Sequence, residues 1–397
     1  MKGYTSSGAA KYYPDTKLLF GIADPADGVV ERTNDYGNII NVSPVDERFV
    51  GIKKQLVILQ ELVLRFTSSA TNNNFARVSD IYWLSGGLGE VGTKGSNSYT
   101  PATNGVAPYS IEGNFTQISQ TRKIVPSQRG ELTLSFSDNI VDEVGSTVTV
   151  FRYTDAGKWE NIGGEVDTKN HTVTVPFDEF GYYTVMKLRR GFTDITNHPW
   201  ARNILNGLYS KGIMTNLRSD AFGADDTTTR GEFATLLVKG LNIPLDYDTN
   251  KQTFFDIVPE AVSTTWDFKS IETAARAGII TGLSDGFFGP DQALTREQAA
   301  VMIARALKLK MSSNDAKLLT SLSKSFVDSA SMDFYSRPAI EAVSKAKIME
   351  GSAVTVTGQT KPVYNFNPKG KLTRAEAGKI AVALLQKSTN IFPKTFN

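Results

Sequence analysis

The sequence predicts a two-part protein: an antiparallel, β-rich region over residues 1–190, followed by three short helix–loop–helix units. Upstream of residue 190, apolar and polar residues alternate with a period of two, as half-buried strands require. Downstream, one ordered set of residues recurs three times, and a recurring set of this kind marks a repeat architecture. The spacing inside that set then divides the second half into residues 191–250, 251–320 and 321–390.

In the first half the alternating runs are Glu131 to Phe136, Thr147 to Phe151, Thr172 to Val175 and Tyr182 to Met186. Asp155-Ala156-Gly157 reads as a turn between strands, and the stretch from Gly95 to Gly105 is rich in Gly, Asn, Ser and Thr. The expectation is an all-β, sandwich-like or barrel-like domain whose strand order the sequence leaves open.

Each unit of the second half opens on Phe-x-Asp: Phe192 to Asp194, Phe254 to Asp256 and Phe326 to Asp328. An aromatic residue then leads a helical pattern, at Trp200, Trp266 and Tyr335. Each unit ends on a Thr-Arg element holding Arg230, Arg296 or Arg374, with Phe222, Phe288 or Phe366 eight residues earlier. Thirty residues separate aromatic and arginine in the first two units and thirty-nine in the third, which places an insertion within Val354 to Tyr364. In the first helices Leu205 and Leu208 match Ile271 and Ala274, then Ile340 and Val343, one apolar stripe per helix. In the second helices Phe233, Leu236 and Leu237 match Ala299, Met302 and Ile303, then Ala377, Ile380 and Ala381. Gly212 and Gly278 suit left-handed helix caps, and Lys347 breaks that pattern. Helix pairs this short cannot bury their apolar faces alone, whereas three around a shared axis can.

Composition narrows the chemistry. The 397 residues carry a formal net charge of +2 and 21% charged residues, so no global field steers the chain to nucleic acid. The absence of cysteine removes disulfides, zinc–thiolate sites and cysteine nucleophiles together. No apolar run suggests a membrane span. The N-terminus lacks an apolar signal core, so the expectation is a processed form or a piece of a longer exported protein. The two histidines, His171 and His198, lack partners at metal-ligand spacing, and no nucleophile motif occurs. Asp246 to Asn250 resembles the start of a calcium loop, but Lys251 follows where that loop turns on glycine and Ile257 stands at position twelve in place of its glutamate, so a linker is the better reading. The expectation is a protein that is not an enzyme and holds no metal or cofactor.

In the Thr-Arg element, threonine with Glu232, Gln298 or Glu376 three residues on fits a capping box. The arginine is unexplained by capping, since a cation at the first helical position opposes the helix dipole. Two readings stand: an anion site formed by guanidinium and free helix-start amides, or an ion pair with a neighbouring repeat. Asp194, Asp256 and Asp328 suit either sugar hydroxyls or the capping of a local loop. Trp200, Trp266 and Tyr335 suit either a flat face for a sugar or a place in the core. Gly282 suits close approach of a ligand or a plain turn, and Gly351 and Asn216 hold the matching positions.

The ordered set from Phe-x-Asp through Gly278 to Gly282, Asp285-Gly286, Phe288 to Pro290 and Thr295 to Gln298 resembles the S-layer homology family, over about residues 192–390. The resemblance implies an all-α, pseudo-threefold domain with a central three-helix bundle and grooves between repeats. It implies that those grooves bind a pyruvylated secondary cell-wall polysaccharide, with Asp194, Trp200, Arg230, Asp256, Trp266, Gly282, Arg296, Asp328, Tyr335, Gly351 and Arg374 as glycan-binding residues. It places the protein outside the cell, in the Gram-positive wall or S-layer, with no membrane insertion and with other S-layer subunits as further partners. The alternatives are a self-assembling lattice protein and the anchor of an exported polysaccharide hydrolase. Gly231, Asn216, Lys347 and the insertion in the third unit depart from the family pattern.

Overall fold

The computed structural model describes residues 2–4, 10–12, 16–23, 30–33, 39–42, 74–88, 100–101, 124–126, 128–153, 159–196, 198–355 and 362–396. The chain divides into two compact units, Met1–Arg190 and Gly191–Asn397. The turn read at Asp155-Ala156-Gly157 and nearly all of the loop at 95–105 lie outside the described residues.

The first unit contains β1 (Lys2–Tyr4), β2 (Ala10–Tyr12), β3 (Thr16–Ala23), β4 (Val30–Thr33), β5 (Ile39–Val42), β6 (Phe75–Leu88), β7 (Thr100–Pro101), β8 (Ile124–Val125) and β9 (Gly130–Ser135). A one-turn helix α1 (Val144–Thr147) leads into β10 (Val148–Tyr153), β11 (Trp159–Gly163), β12 (Glu165–Asp167), β13 (Thr172–Phe177) and β14 (Gly181–Leu188). The large sheet runs β11-β10-β14-β6-β3-β4-β5, with β7 also on β6; β12-β13-β9 and β2-β1-β8 form smaller sheets. Val148 and Val150 of β10, Tyr183 and Val185 of β14 and Leu84 of β6 share one core with Leu134 of β9 and Val173 and Val175 of β13. Each pair sits two residues apart, so alternation delivers one face of each strand to that core. Thr149, between Val148 and Val150, is buried too and donates to the Asn161 side chain at 2.6 Å.

The second unit holds α2 (Thr193–Thr196), α3 (Arg202–Ser210), α4 (Arg230–Gly240), α5 (Phe268–Arg276), α6 (Arg296–Ala306), α7 (Ala316–Ser325), α8 (Arg337–Lys345), β15 (Ser352–Val354), β16 (Val363–Asn365) and α9 (Arg374–Ser388). The second helix of each repeat packs on the first helix of the next: α4 on α5, α6 on α8, and α9 back on α3. The stripe residues Leu205, Leu208, Ile271, Ala274, Ile340 and Val343 are all buried. Gly212 and Gly278 take φ of 66° and 69° after their helices, and Lys347 takes 53°. The third repeat therefore keeps the left-handed turn without glycine.

The expected all-α character of residues 191–390 is wrong. β15 and β16 pair antiparallel, and they flank the insertion of the third repeat, of which residues 356–361 lie outside the described set. The segment before each second helix is extended as well. Bridges join Thr227 to Thr373, Thr229 to Ala293 and Thr295 to Lys371. Within them Thr228 N donates to Leu372 O, Leu372 N to Leu294 O, and Leu294 N to Thr228 O, at 2.9–3.1 Å. These three buried amides close a ring of β-type bonds, and buried backbone must find partners somewhere. Helix periodicity carries no trace of it. Nor is the first half purely β, since α1 interrupts it. Helix α7 also went unread, although Asp315 caps it and Leu318 and Leu322 bury one stripe.

Candidate functional site

Each Phe-x-Asp carboxylate binds backbone in its own repeat. Asp194 accepts from the amides of Phe222, Gly223 and Ala224, at 3.0, 2.7 and 3.2 Å. Asp256 accepts from Phe288 and Gly289 at 2.9 and 2.7 Å, and Asp328 from Phe366 and Asn367 at the same distances. Burial opposes the charge of Asp194, but the backbone donors win and hold its carboxyl below the usual 3.8. All three aspartates thus act as clamps on the loop that carries the phenylalanine.

That loop receives the arginine of the preceding repeat. Arg230 Nε donates to Phe288 O and Nη2 to Thr281 O, both at 3.0 Å, with the guanidinium 4.7 Å from the Phe288 ring centre. Arg296 does the same one repeat on: Nε to Phe366 O at 2.7 Å, Nη2 to Glu350 O at 2.9 Å, and 5.1 Å to the Phe366 ring. Arg374 returns to the first repeat, bonding Phe222 O and Thr215 O and lying 4.3 Å from the Phe222 ring. The three arginines therefore close a cycle from each repeat to the next. A cation over a desolvated ring contributes about 2 kcal/mol, and each charge-assisted hydrogen bond about 1.5–3 kcal/mol.

The first three amides of each second helix are taken. The first and second N–H groups of α4 bond Gln292 O and Pro290 O; those of α6 bond Gly370 O and Pro368 O; those of α9 bond Asp226 O and Ala224 O. The third goes to the cap hydroxyl of Thr229, Thr295 or Thr373. An anion site built on helix-start amides is thus closed in all three repeats, and any anion contact falls to the side chains. The reciprocal half of the capping box forms at Gln298 and Glu376 but not at Glu232. Glu232 turns away to accept from Arg374 Nε at 2.8 Å.

The three arginines consequently differ in charge balance. Arg374 is fully buried and faces the buried carboxylate of Glu232, whose pKa burial pushes up against the arginine's pull. Arg230 and Arg296 form no ion pair among the described residues, and nothing there accepts from their Nη1 groups. Burial lowers both, Arg230 to about 10, because desolvation outweighs the pull of Tyr335 and Asp256 on Arg230 and of Glu376 and Asp328 on Arg296.

The aromatics differ as well. Trp266 is 8% exposed, donates to Asp291 at 2.9 Å and lies on Gly231, where a Cβ would stand 2.9 Å from the indole. Trp200 is 51% exposed, with Lys379 Nζ 5.6 Å from its ring centre. Tyr335 is 53% exposed and near enough to Arg230 for their charges to interact. Gly282 and Gly351 serve their turns: a Cβ would come within 2.7 Å of Phe287 O and Ser284 O in one, and 2.8 Å of Asn365 O in the other. Asn216, at the matching position, donates to Arg218 O at 2.8 Å.

The structure thus gathers Arg230, Asp256, Gly282 and Tyr335 at one junction, and Arg296, Asp328 and Gly351 at a second. At the third, Arg374 meets the Asp194 loop with its charge already balanced. Sequence reasoning missed Glu297, a buried carboxylate that accepts from Lys369 at 2.5 Å, Ser336 at 2.9 Å and the Asp333 amide at 3.1 Å. It fills the helix position that is Gly231 or Ala375 elsewhere, a departure visible in the aligned repeats. His198 pairs with Asp225 at 3.1 Å, and Asp246 with Arg276 at 3.0 Å, so neither joins a ligand set. No group of metal-ligating side chains occurs among the described residues, and none of their helices is long and apolar enough to cross a membrane.

The second unit is thus a ring of three repeats, each clamped by its own aspartate and joined to the next by an arginine. The family model of the S-layer homology domain matches residues 191–234 and 261–300, and the chain is an S-layer homology domain protein. The third repeat lies outside those matches but carries the same aspartate clamp and arginine clasp. An amylopullulanase of Thermoanaerobacterium thermosulfurigenes is 24% identical over 378 residues, 95% of this chain and 18% of that protein. An endoglucanase of Bacillus sp. strain KSM-635 is 28% identical over 49% of the chain and 19% of the relative. The S-layer protein sap of Bacillus anthracis is 27% identical over 47% of the chain and 20% of the relative. The chain spans about a fifth of the length of these relatives.

Proposed function

We propose that the second unit anchors a cell-surface protein to the bacterial wall without covalent bonds, by binding a pyruvylated wall polysaccharide at the Arg230 and Arg296 junctions. The observation that carries this is the missing counter-charge. The buried guanidinium of Arg230 and the half-buried one of Arg296 each keep an Nη1 without a protein acceptor among the described residues, while the third is balanced by Glu232. A carboxylate on the terminal sugar supplies the absent anion, and Tyr335 beside Arg230 offers a ring and a hydroxyl to the sugar. Two such junctions on one scaffold add avidity where the polymer spans both. The chain acts by retention and not by turnover.

The test is calorimetric titration of the chain with purified wall polymer, with and without its ketal. Binding should require the ketal. Arg230→Gln and Arg296→Gln should each weaken it by about tenfold to a hundredfold, the cost of one charge-assisted contact. Binding that ignores the ketal, or unchanged affinity in both variants at unchanged melting temperature, sinks the reading. A second reading concerns the parent protein. The amylopullulanase match runs through nearly the whole chain, which favours a chain serving as the anchor of a longer glycan-degrading enzyme over a self-assembling lattice subunit. Assembly of the isolated chain into sheets would reverse that order.

A further inference from the structure

The turn after Gly282 carries a ledge of two phenylalanines, where the third repeat exposes Val327 and Tyr364 instead. Phe255 is 70% and Phe287 49% exposed, and their rings meet edge to face at 5.7 Å, with the exposed Leu283 on the same turn. The matching positions hold Thr193, Ala221 and Leu217 in the first repeat, and Val327, Asn365 and Ser352 in the third. The ledge is braced. Phe255 N donates to Gly286 O at 2.8 Å, and its ring lies so close over Gly286 that a Cβ there would stand 2.4 Å from Cε2. Leu283 N donates to Phe287 O at 2.9 Å and Phe287 N to Ser284 O at 3.2 Å, closing the turn beneath the rings. Two phenylalanines held rigidly in water are unfavourable unless something covers them.

The rim of the ledge indicates the cover. Ser284 and Asp285 are exposed at the tip of the turn, and among the described residues neither side chain forms a hydrogen bond or ion pair. An exposed aromatic ring flanked by a hydroxyl and a carboxylate suits a pyranose, whose C–H face stacks while its hydroxyls donate and accept at the edge. The Asp285 charge disfavours an acidic sugar there. The ledge also begins one residue after Thr281, whose carbonyl holds Arg230 Nη2 at 3.0 Å, with only Gly282 between. We propose that Phe255 and Phe287 form a subsite for a neutral pyranose, the wall-glycan residue adjoining the acidic sugar at Arg230. This rests on the reading of the Arg230 junction given above.

The experiment titrates the full chain with two fragments of the purified polymer: the ketal-bearing sugar alone, and a trisaccharide that ends in it. Phe255→Ala should weaken trisaccharide binding about tenfold, leave the single sugar within about twofold, and be rescued by Phe255→Trp. Equal losses with both probes, or none with either, overturn the subsite. Arg230→Gln separates the two proposals. If it abolishes binding while Phe255→Ala changes nothing, the arginine reading stands and the ledge falls. If it changes nothing while Phe255→Ala weakens the trisaccharide, the ledge binds sugar and the arginine reading falls. Self-association in sedimentation that disappears in Phe255→Ala assigns the ledge to a second copy of the chain and also overturns the proposal.

Discussion

Arg374 and Glu232 lie 142 positions apart, yet Arg374 Nε donates to the Glu232 carboxylate at 2.8 Å and both side chains are buried. The pair joins the start of the last long helix to the start of the first, closing the ring of repeats on itself. It also balances the charge of the one arginine that bonds Thr215 O, the carbonyl next to Asn216.

Removing one partner of a buried pair leaves the other charge stranded, which costs about 3–5 kcal/mol. Arg374→Ala also loses two backbone carbonyl contacts and the stack on Phe222. It should therefore destabilise the second unit by at least that amount in urea unfolding. Arg374→Met with Glu232→Leu should recover much of the loss, because the stranded carboxylate is gone. A single variant as stable as the wild type would show that the ring is not closed through this pair.

Gly231 is the floor for Trp266. A Cβ there would lie 2.9 Å from Cγ and Cδ1 of the indole and 3.0 Å from Pro290 O, closer than packed atoms tolerate. Gly231→Ala should cost about 1–3 kcal/mol as overpacking. It should also swing Trp266 off Asp291, seen as a shifted Trp266 resonance in a fluorotryptophan-labelled chain. An unmoved resonance would place the ring elsewhere.

The period-two runs of the first unit and the apolar stripes of the second were legible because burial imposes their periodicity on the sequence. Arg230, Arg296 and Arg374 were legible as recurring residues, but their partners are backbone carbonyls of the next repeat, which no side-chain pattern reports. The ring through Thr228, Leu294 and Leu372 was hidden for the same reason. Glu232 shows the limit of local reading: its spacing from Thr229 fits a capping box, and a partner 142 residues away outbids the cap. Trp200 and Trp266 hold equivalent positions with opposite exposure, and the Gly231 on which Trp266 lies belongs to the preceding repeat, outside that tryptophan's own neighbourhood.

Asp194 should make the second unit sensitive to acid. Its carboxyl is held below 3.8 in the folded chain, so its contribution is complete above that value and lost as pH falls through the folded value. Asp194→Asn removes the charge and leaves one accepting oxygen where two now serve three amides, and should lower stability at neutral pH by about 1–2 kcal/mol, or a few degrees of melting temperature. Melting curves of wild type and variant should converge as pH drops below about 3.8. Parallel curves down to the lowest pH would mean that Asp194 is not the group being titrated.

Thr228 is the odd member of the closed ring. Leu294 and Leu372 stand at the matching positions, and all three are buried, but the Thr228 hydroxyl finds no hydrogen-bond partner among the described residues. A buried hydroxyl without a partner loses its water and gains nothing in return, at about 1–3 kcal/mol. The backbone of Thr228 does the structural work: its amide donates to Leu372 O and its carbonyl accepts from Leu294 N, at 2.9 Å each. Thr228→Val keeps the shape, the β-branch and both backbone bonds while deleting the orphaned oxygen. It should raise the melting temperature by a few degrees and leave glycan binding unchanged. Thr228→Ala removes the same oxygen but opens a cavity, and should lower it. If both variants lower it alike, the hydroxyl has a partner, and a buried water at the centre of the ring becomes the explanation to pursue by solving the structure of Thr228→Val.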